Sequence, residues 1–333
     1  MKTPTLLTVQ EAATLIDAGT VLALAGDEAL LAQLPKGNWI AGTIPYFIAD
    51  EGGTETRKKL YATELAHARP GAIAIQTYTV DTIANIATDA PEHGYTIVII
   101  PCESAILTEY ANHGRDYEDM FFKPIVGWIA GVHLNDIGKV APKVVSGSDG
   151  KLLAAEAVAL HVTLPPECSA IVRILNLFRQ NPEGDVITFA ETGFSAAACK
   201  VNGKDAVLAE YVAARKLDLK LPLVADYNGA QINTSFQAVD PDGRTVHFYA
   251  PVFPGIEYRQ AAPVGDYVHD FEKLAGGTHP NVEFSCNCIL NYLHGQLQGR
   301  RTGDLCGPAT FGEVAYQLLN QTLVYLDVSE REQ

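Results

Sequence analysis

The chain has 333 residues, with 24 Lys and Arg against 39 Asp and Glu, a formal net charge of −15. Hydrophobic residues make up 47% and charged residues 19%, a composition that buries a core of roughly two domains and excludes a disordered chain. The acidic balance argues against nucleic acid and against anionic membrane surfaces as partners, because both call for concentrated Lys and Arg.

The N-terminal stretch is interrupted by Pro4, Gln10, Glu11 and Asp17 and does not read as a signal peptide. A helix is expected over 8–18, with Thr8 as N-cap and Glu11 completing a capping box, stopped by Gly19. A short buried strand follows at 21–26, and then a helix at 27–35 between Asp27 and Pro35. Residues 38–48 read as one strand with a break at Gly42. The runs 72–79 and 95–101 are apolar and β-branched, as central strands are, with a helix expected between them at 81–90. The longest apolar runs fall short of the roughly 20 residues a membrane helix needs. A cytoplasmic protein is therefore expected, with its six Cys reduced.

A helix at 104–114, an apolar stretch at 122–134 and a hairpin around the SGSDG turn at 146–150 come next. Pro165, Pro166 and the turn cluster 181–185 mark a boundary, so two domains are expected, 1–180 and 181–333. The second half reads as a tight turn at 201–205, a helix at 205–216, and two strands joined by the DPDG turn at 240–243. After a helix around 264–277 come a strand at 282–288, a helix at 289–299 and a last strand at 321–328. The fold class is α/β to α+β, with two lobes, each a mixed sheet flanked by helices. Residues 96–114 and 282–299 share one pattern, an apolar strand, a Cys at its carboxyl edge and then a helix. An internal duplication and a chance likeness both account for it.

Open α/β sheets bind ligands beyond the carboxyl ends of their strands. Cys102 and Cys286 fall at such ends, where a helix N-terminus favours thiolate; burial as a small hydrophobe is the plain alternative. Cys286, Cys288, His294 and Cys306 are the residues with metal-ligating chemistry, but no C-x-x-C pair accompanies them, and no metal site is expected. His133, beside Asn135 and Asp136, is a candidate base or haem ligand, or a satisfied polar group. The glycine-rich phosphate loops, the Walker loop and the nucleophile elbow are all missing from the sequence. Gly127 in GWIAG fits a close backbone approach, and Glu313 is a carboxylate before an apolar run with Arg300 and Arg301 as candidate partners.

The C-terminal residues Ser285-Cys286, Gly307 through Gly312-Glu313, and Asn320 with Thr322 resemble the end of the FIST sensory domain family. Residues 201–219 are similar to the start of that family's C-terminal part, and 38–53 and 124–162 to strands and a hairpin of its N-terminal part. The resemblance implies a small-ligand-binding sensory module, with amino acids or similar molecules as ligands, haem as a cofactor of some relatives, and signalling through a separate partner protein. The ligand is then expected between the lobes, touched by Gly42, Thr43, Cys102, Gly127, Trp128, His133, Cys286 and Glu313. Two other readings stand beside it. One is an enzyme with Cys102 or Cys286 as nucleophile and His133 or Glu313 as proton carrier. The other is an interaction protein whose cleft is filled.

Overall fold

The local signals that stand nearest the backbone appear as expected in the computed structural model, which describes residues 6–227, 229–240 and 242–330. Thr8 caps the helix Val9–Asp17, its side chain and that of Glu11 forming the reciprocal capping box. The apolar run at 94–101 is a strand buried on both faces. Other elements differ. Between Asp81 and Ala90 only a 3₁₀ turn, Ile83–Ile86, forms, because Thr, Asn and Asp there favour turns over helix and Pro91 ends the segment. The expected helices at 27–35 and 289–299 shorten to Glu28–Leu31 and Ile289–His294. The stretch 38–48 is two strands, Trp39–Thr43 and Tyr46–Ala49, in different sheets. The expected 240–243 turn includes Pro241, which lies outside the described residues.

The described residues form a mixed α/β structure of four six-stranded sheets and one three-stranded sheet. Three of the six-stranded sheets share one plan. The first runs Leu6–Leu7, Leu60–Glu64, Leu22–Gly26, Trp39–Thr43, Val144–Ser146 and Lys151–Leu153. The second runs Ile73–Tyr78, Ala157–Thr163, Gly94–Pro101, Ile125–Ala130, Glu313–Ala315 and Gln317–Leu319. The third runs Cys168–Leu175, Leu323–Glu330, Val282–Cys288, Gly307–Thr310, Tyr46–Ala49 and Gly52–Glu55. In each, the third and fourth strands are parallel and are joined through a helix: Glu28–Leu31, Ala105–His113 or Ile289–His294. The remaining ladders are antiparallel.

The chain is therefore a threefold internal repeat over residues 6–64, 73–163 and 168–330, rather than the twofold echo visible in sequence. Each repeat completes its neighbour's sheet with a hairpin. The first gives Tyr46–Glu55 to the third, the second gives Val144–Leu153 to the first, and the third gives Glu313–Leu319 to the second. This exchange closes a ring, so the sheets cross the expected boundary near residue 180. Inner faces of all three sheets meet in one core that includes Ile40, Ile97, Trp128, Phe284 and Leu326. Helix Val9–Asp17 covers the outer face of the first sheet, Ala105–His113 that of the second, and Tyr267–Ala275 that of the third.

The third repeat carries a long insertion between Leu175 and Tyr267. It builds the fourth six-stranded sheet, the three-stranded sheet and helix Leu208–Arg215 around a core of its own. It docks on the ring through buried polar side chains. Asn233 donates to the carbonyl of Asn320 at 3.1 Å, and the Ser235 N–H donates to the Asn320 side chain at 3.0 Å. No helix among the described residues is long and apolar enough to cross a membrane.

Candidate cleft between the ring and the insertion

Strands Gly94–Pro101 and Ile125–Ala130 end together, and the chain turns through Cys102 and Glu103 into helix Ala105–His113. Ser104 is the N-cap. Its hydroxyl donates to the Pro101 carbonyl at 2.6 Å and accepts from the Leu107 N–H at 3.2 Å. Glu103 takes φ of 56°, a left-handed turn that side chains adopt at a cost. The insertion faces this turn with Phe194, Ser195, Gln237, His247, Phe248 and Tyr249. The crossover helix of the third repeat supplies Ile289, Leu290 and Leu293. Together they enclose about 360 Å³, a volume typical of small-ligand sites. Its walls are mainly apolar, and three of the lining residues, Ile137, Tyr249 and Leu293, are 47%, 39% and 41% exposed. Glu103 is the one carboxylate among the described lining residues, and they include no Lys or Arg. His247 is tied through Nε2 to Asp240 at 2.9 Å.

Cys102 lines this cleft. Its thiol is pushed up to about 12, chiefly by burial and further by the Glu103 charge. Desolvation outweighs the helix N-terminus that was expected to favour thiolate.

Thr43 and His133 lie in a second hollow of about 340 Å³, beyond the carboxyl ends of Leu22–Gly26 and Trp39–Thr43. The Thr43 hydroxyl donates to the Gly131 carbonyl at 2.8 Å and accepts from the Lys143 N–H at 2.9 Å. His133 Nδ1 accepts from the Asn135 N–H at 3.1 Å, which leaves Nε2 to donate to Glu55 at 2.8 Å. Its ring stacks on Tyr46. Arg57 bridges Asp136 and Asp27, and Lys143 pairs with Glu28. This hollow is charged and internally satisfied.

The other expected ligand contacts are in the core, away from either hollow. A Cβ at Gly42 would lie 2.6 Å from Trp128, and one at Gly127 would collide with the Val98 carbonyl. Trp128 is 1% exposed, and the Cys286 thiol donates to the Gly127 carbonyl at 3.3 Å. Cys286 and Cys288 are fully buried, and burial holds both thiols well above the ordinary range. Glu313 stands opposite Trp128 in the ladder that docks the exchanged hairpin. It accepts from the Thr322 hydroxyl at 2.8 Å, the Thr322 N–H at 3.3 Å and the Thr310 hydroxyl at 3.4 Å. Burial nevertheless pushes its carboxyl up to about 8. Arg300, a partner considered for it, pairs instead with Asp266.

The expected set thus divides three ways: Cys102 in the cleft, Thr43 and His133 in the charged hollow, and Gly42, Gly127, Trp128, Cys286 and Glu313 in the core. The cleft's far wall, Gln237 and His247–Tyr249, carried no sequence signal. Those residues face Cys102 only because the insertion folds back over the second repeat. Among the described residues no group of three or more His, Cys, Asp or Glu could hold a metal ion.

A threefold ring of exchanged α/β sheets, with an insertion roofing one strand-end cleft, defines the class. The chain belongs to DUF6976, a family of unknown function, which it matches over residues 7–329. No curated protein and no solved structure matches it.

Proposed function

We propose that this protein is a small-ligand-binding sensory protein of the FIST type, holding its ligand in the cleft between the ring and the insertion and signalling to a separate protein. The observation that carries this reading is a concave site of about 360 Å³ with mainly apolar walls, to which the partly exposed side chains Ile137, Tyr249 and Leu293 all contribute. Exposed apolar surface gathered in a cavity of ligand size marks a binding site. The neutral thiols favour reversible binding over covalent chemistry, because thiolate is the nucleophile. A thermal-shift panel of amino acids, amines, organic acids and haem tests it. At least one class should raise Tm by several degrees, and Thr108→Trp, which fills the cleft from the exposed face of its helix, should remove that shift. A panel without stabilisation, or a shift that survives Thr108→Trp, overturns the reading.

A further inference from the structure

We infer that the cleft selects ligands with an apolar body and a cationic amine, and rejects carboxylates. The inference rests on the proposed ligand-binding role and specifies its chemistry. Its basis is the charge around the cavity. Glu103 is the one formally charged side chain among the described lining residues, and no Lys or Arg joins it. On the opposite wall, His247 is bound to the Asp240 carboxylate, so that side offers no unpaired cation to an anionic ligand.

The helix N-terminus at this site is the feature that would favour an anion. Here it is answered in part. The Leu107 N–H is taken by the Ser104 hydroxyl at 3.2 Å, and Glu103, the residue before the N-cap, brings a formal negative charge to the same stretch of the cleft wall. A ligand carboxylate entering this space would lose its water among Leu107, Phe248 and Leu290 with no counter-charge, and would meet Glu103. An ammonium group would pair with Glu103 while its apolar body fills the walls. The same reasoning separates an amine from its parent amino acid, whose carboxylate has no place to go.

Three probes on one skeleton read this directly: phenethylamine, phenylalanine and 3-phenylpropionate, titrated calorimetrically against the full chain. Phenethylamine should bind at least tenfold more tightly than either of the other two. Glu103→Gln should weaken it about tenfold, the loss of one charge-assisted contact, and should shift the unliganded Tm by no more than about two degrees, the share of one exposed charge near a helix N-terminus. Glu103→Lys should invert the order in favour of 3-phenylpropionate. Equal or tighter binding of 3-phenylpropionate by the native chain overturns the inference, as does an amine preference that survives Glu103→Gln. If all three probes are silent while the wider panel finds an anionic stabiliser lost in Thr108→Trp, the charge assignment falls and the ligand-binding role stands. Silence in both overturns the role itself.

Discussion

The cleft and the charged hollow occupy related places, each beyond the carboxyl ends of a parallel strand pair in one repeat, yet they are chemically opposite. The hollow of the first repeat is lined by charges already paired with one another, Arg57 with Asp27 and Asp136, and Lys143 with Glu28. The cleft of the second repeat keeps apolar side chains in contact with solvent and one unpaired kind of charge. The repeat supplies a backbone crevice, and what lines it decides whether its groups are already paired or left bare. In the second repeat one wall of the crevice comes from the insertion, which has no counterpart in the other two.

The core residues between the two hollows offer the largest test of this division. Trp128→Ala should destabilise the chain by about 4 kcal/mol in urea unfolding, as large-to-small changes at fully buried aromatics do. The folded fraction should still bind phenethylamine with native affinity. A selective loss of binding at unchanged stability would return Trp128 to the ligand.

Next is the buried carboxyl of Glu313. With its folded pKa raised to about 8, the native state holds a proton that the unfolded chain releases near the ordinary carboxylate value. This contribution is complete at acid pH and fades as pH rises from about 4.5 through about 8, by a few kcal/mol in all. Glu313→Gln should flatten that alkaline limb. The opposite limb belongs to His161, pushed down to about 4 mainly by burial, between Tyr78 at 2.9 Å and Thr96 at 2.8 Å. There the unfolded chain takes up the proton first, so stability falls as pH drops from about 6.5 to about 4. Between about pH 4.5 and 6.5 the two slopes oppose and nearly cancel, so denaturation midpoints should stay level there and decline from about 6.5 to 8. A Glu313→Gln variant that keeps the alkaline decline would show that another group carries it.

At the cleft, Thr108→Trp should cost phenethylamine about a hundredfold in affinity with little change in Tm, whereas Arg57→Ala should leave that affinity alone. The smallest effect is in the hollow. Arg57 is 44% exposed, so Arg57→Ala should lower stability by less than about 1 kcal/mol, and added salt should erase most of the difference. A larger or salt-independent loss would mean that this hollow does more than tie two repeats together.

Parts of this arrangement were legible in the sequence because their causes are local. Thr8 and Glu11 are three residues apart, so the capping box and its helix could be read directly. The strand at 282–288 and its trailing Cys were equally plain, and so was the likeness of 96–114 to 282–299, which the structure extends to a third unit at Leu22–Thr43. That unit escaped notice because Gly26-Asp27 stands where the others carry Cys near the strand end, and its helix is one turn long. The expected ligand contacts are dispersed for a different reason. Gly42, Gly127 and Glu313 look like ligand contacts when read along the chain, since glycines and a lone carboxylate in an apolar stretch are unusual. In three dimensions the glycines make room for Trp128 and for the Val98 backbone, and Glu313 anchors an exchanged hairpin.

By itself the sequence determined the mixed α/β class, the caps, the buried strands and the acidic surface, because hydrophobic period, capping chemistry and net charge act over a few residues or over the whole composition. Only the tertiary structure decided which sheet each hairpin completes, which strand-end crevice is lined by ion pairs and which is apolar and faced by the insertion. Those outcomes depend on contacts between residues more than a hundred positions apart, such as Glu313 with Trp128 and Phe47 with Pro308, and no local pattern encodes them.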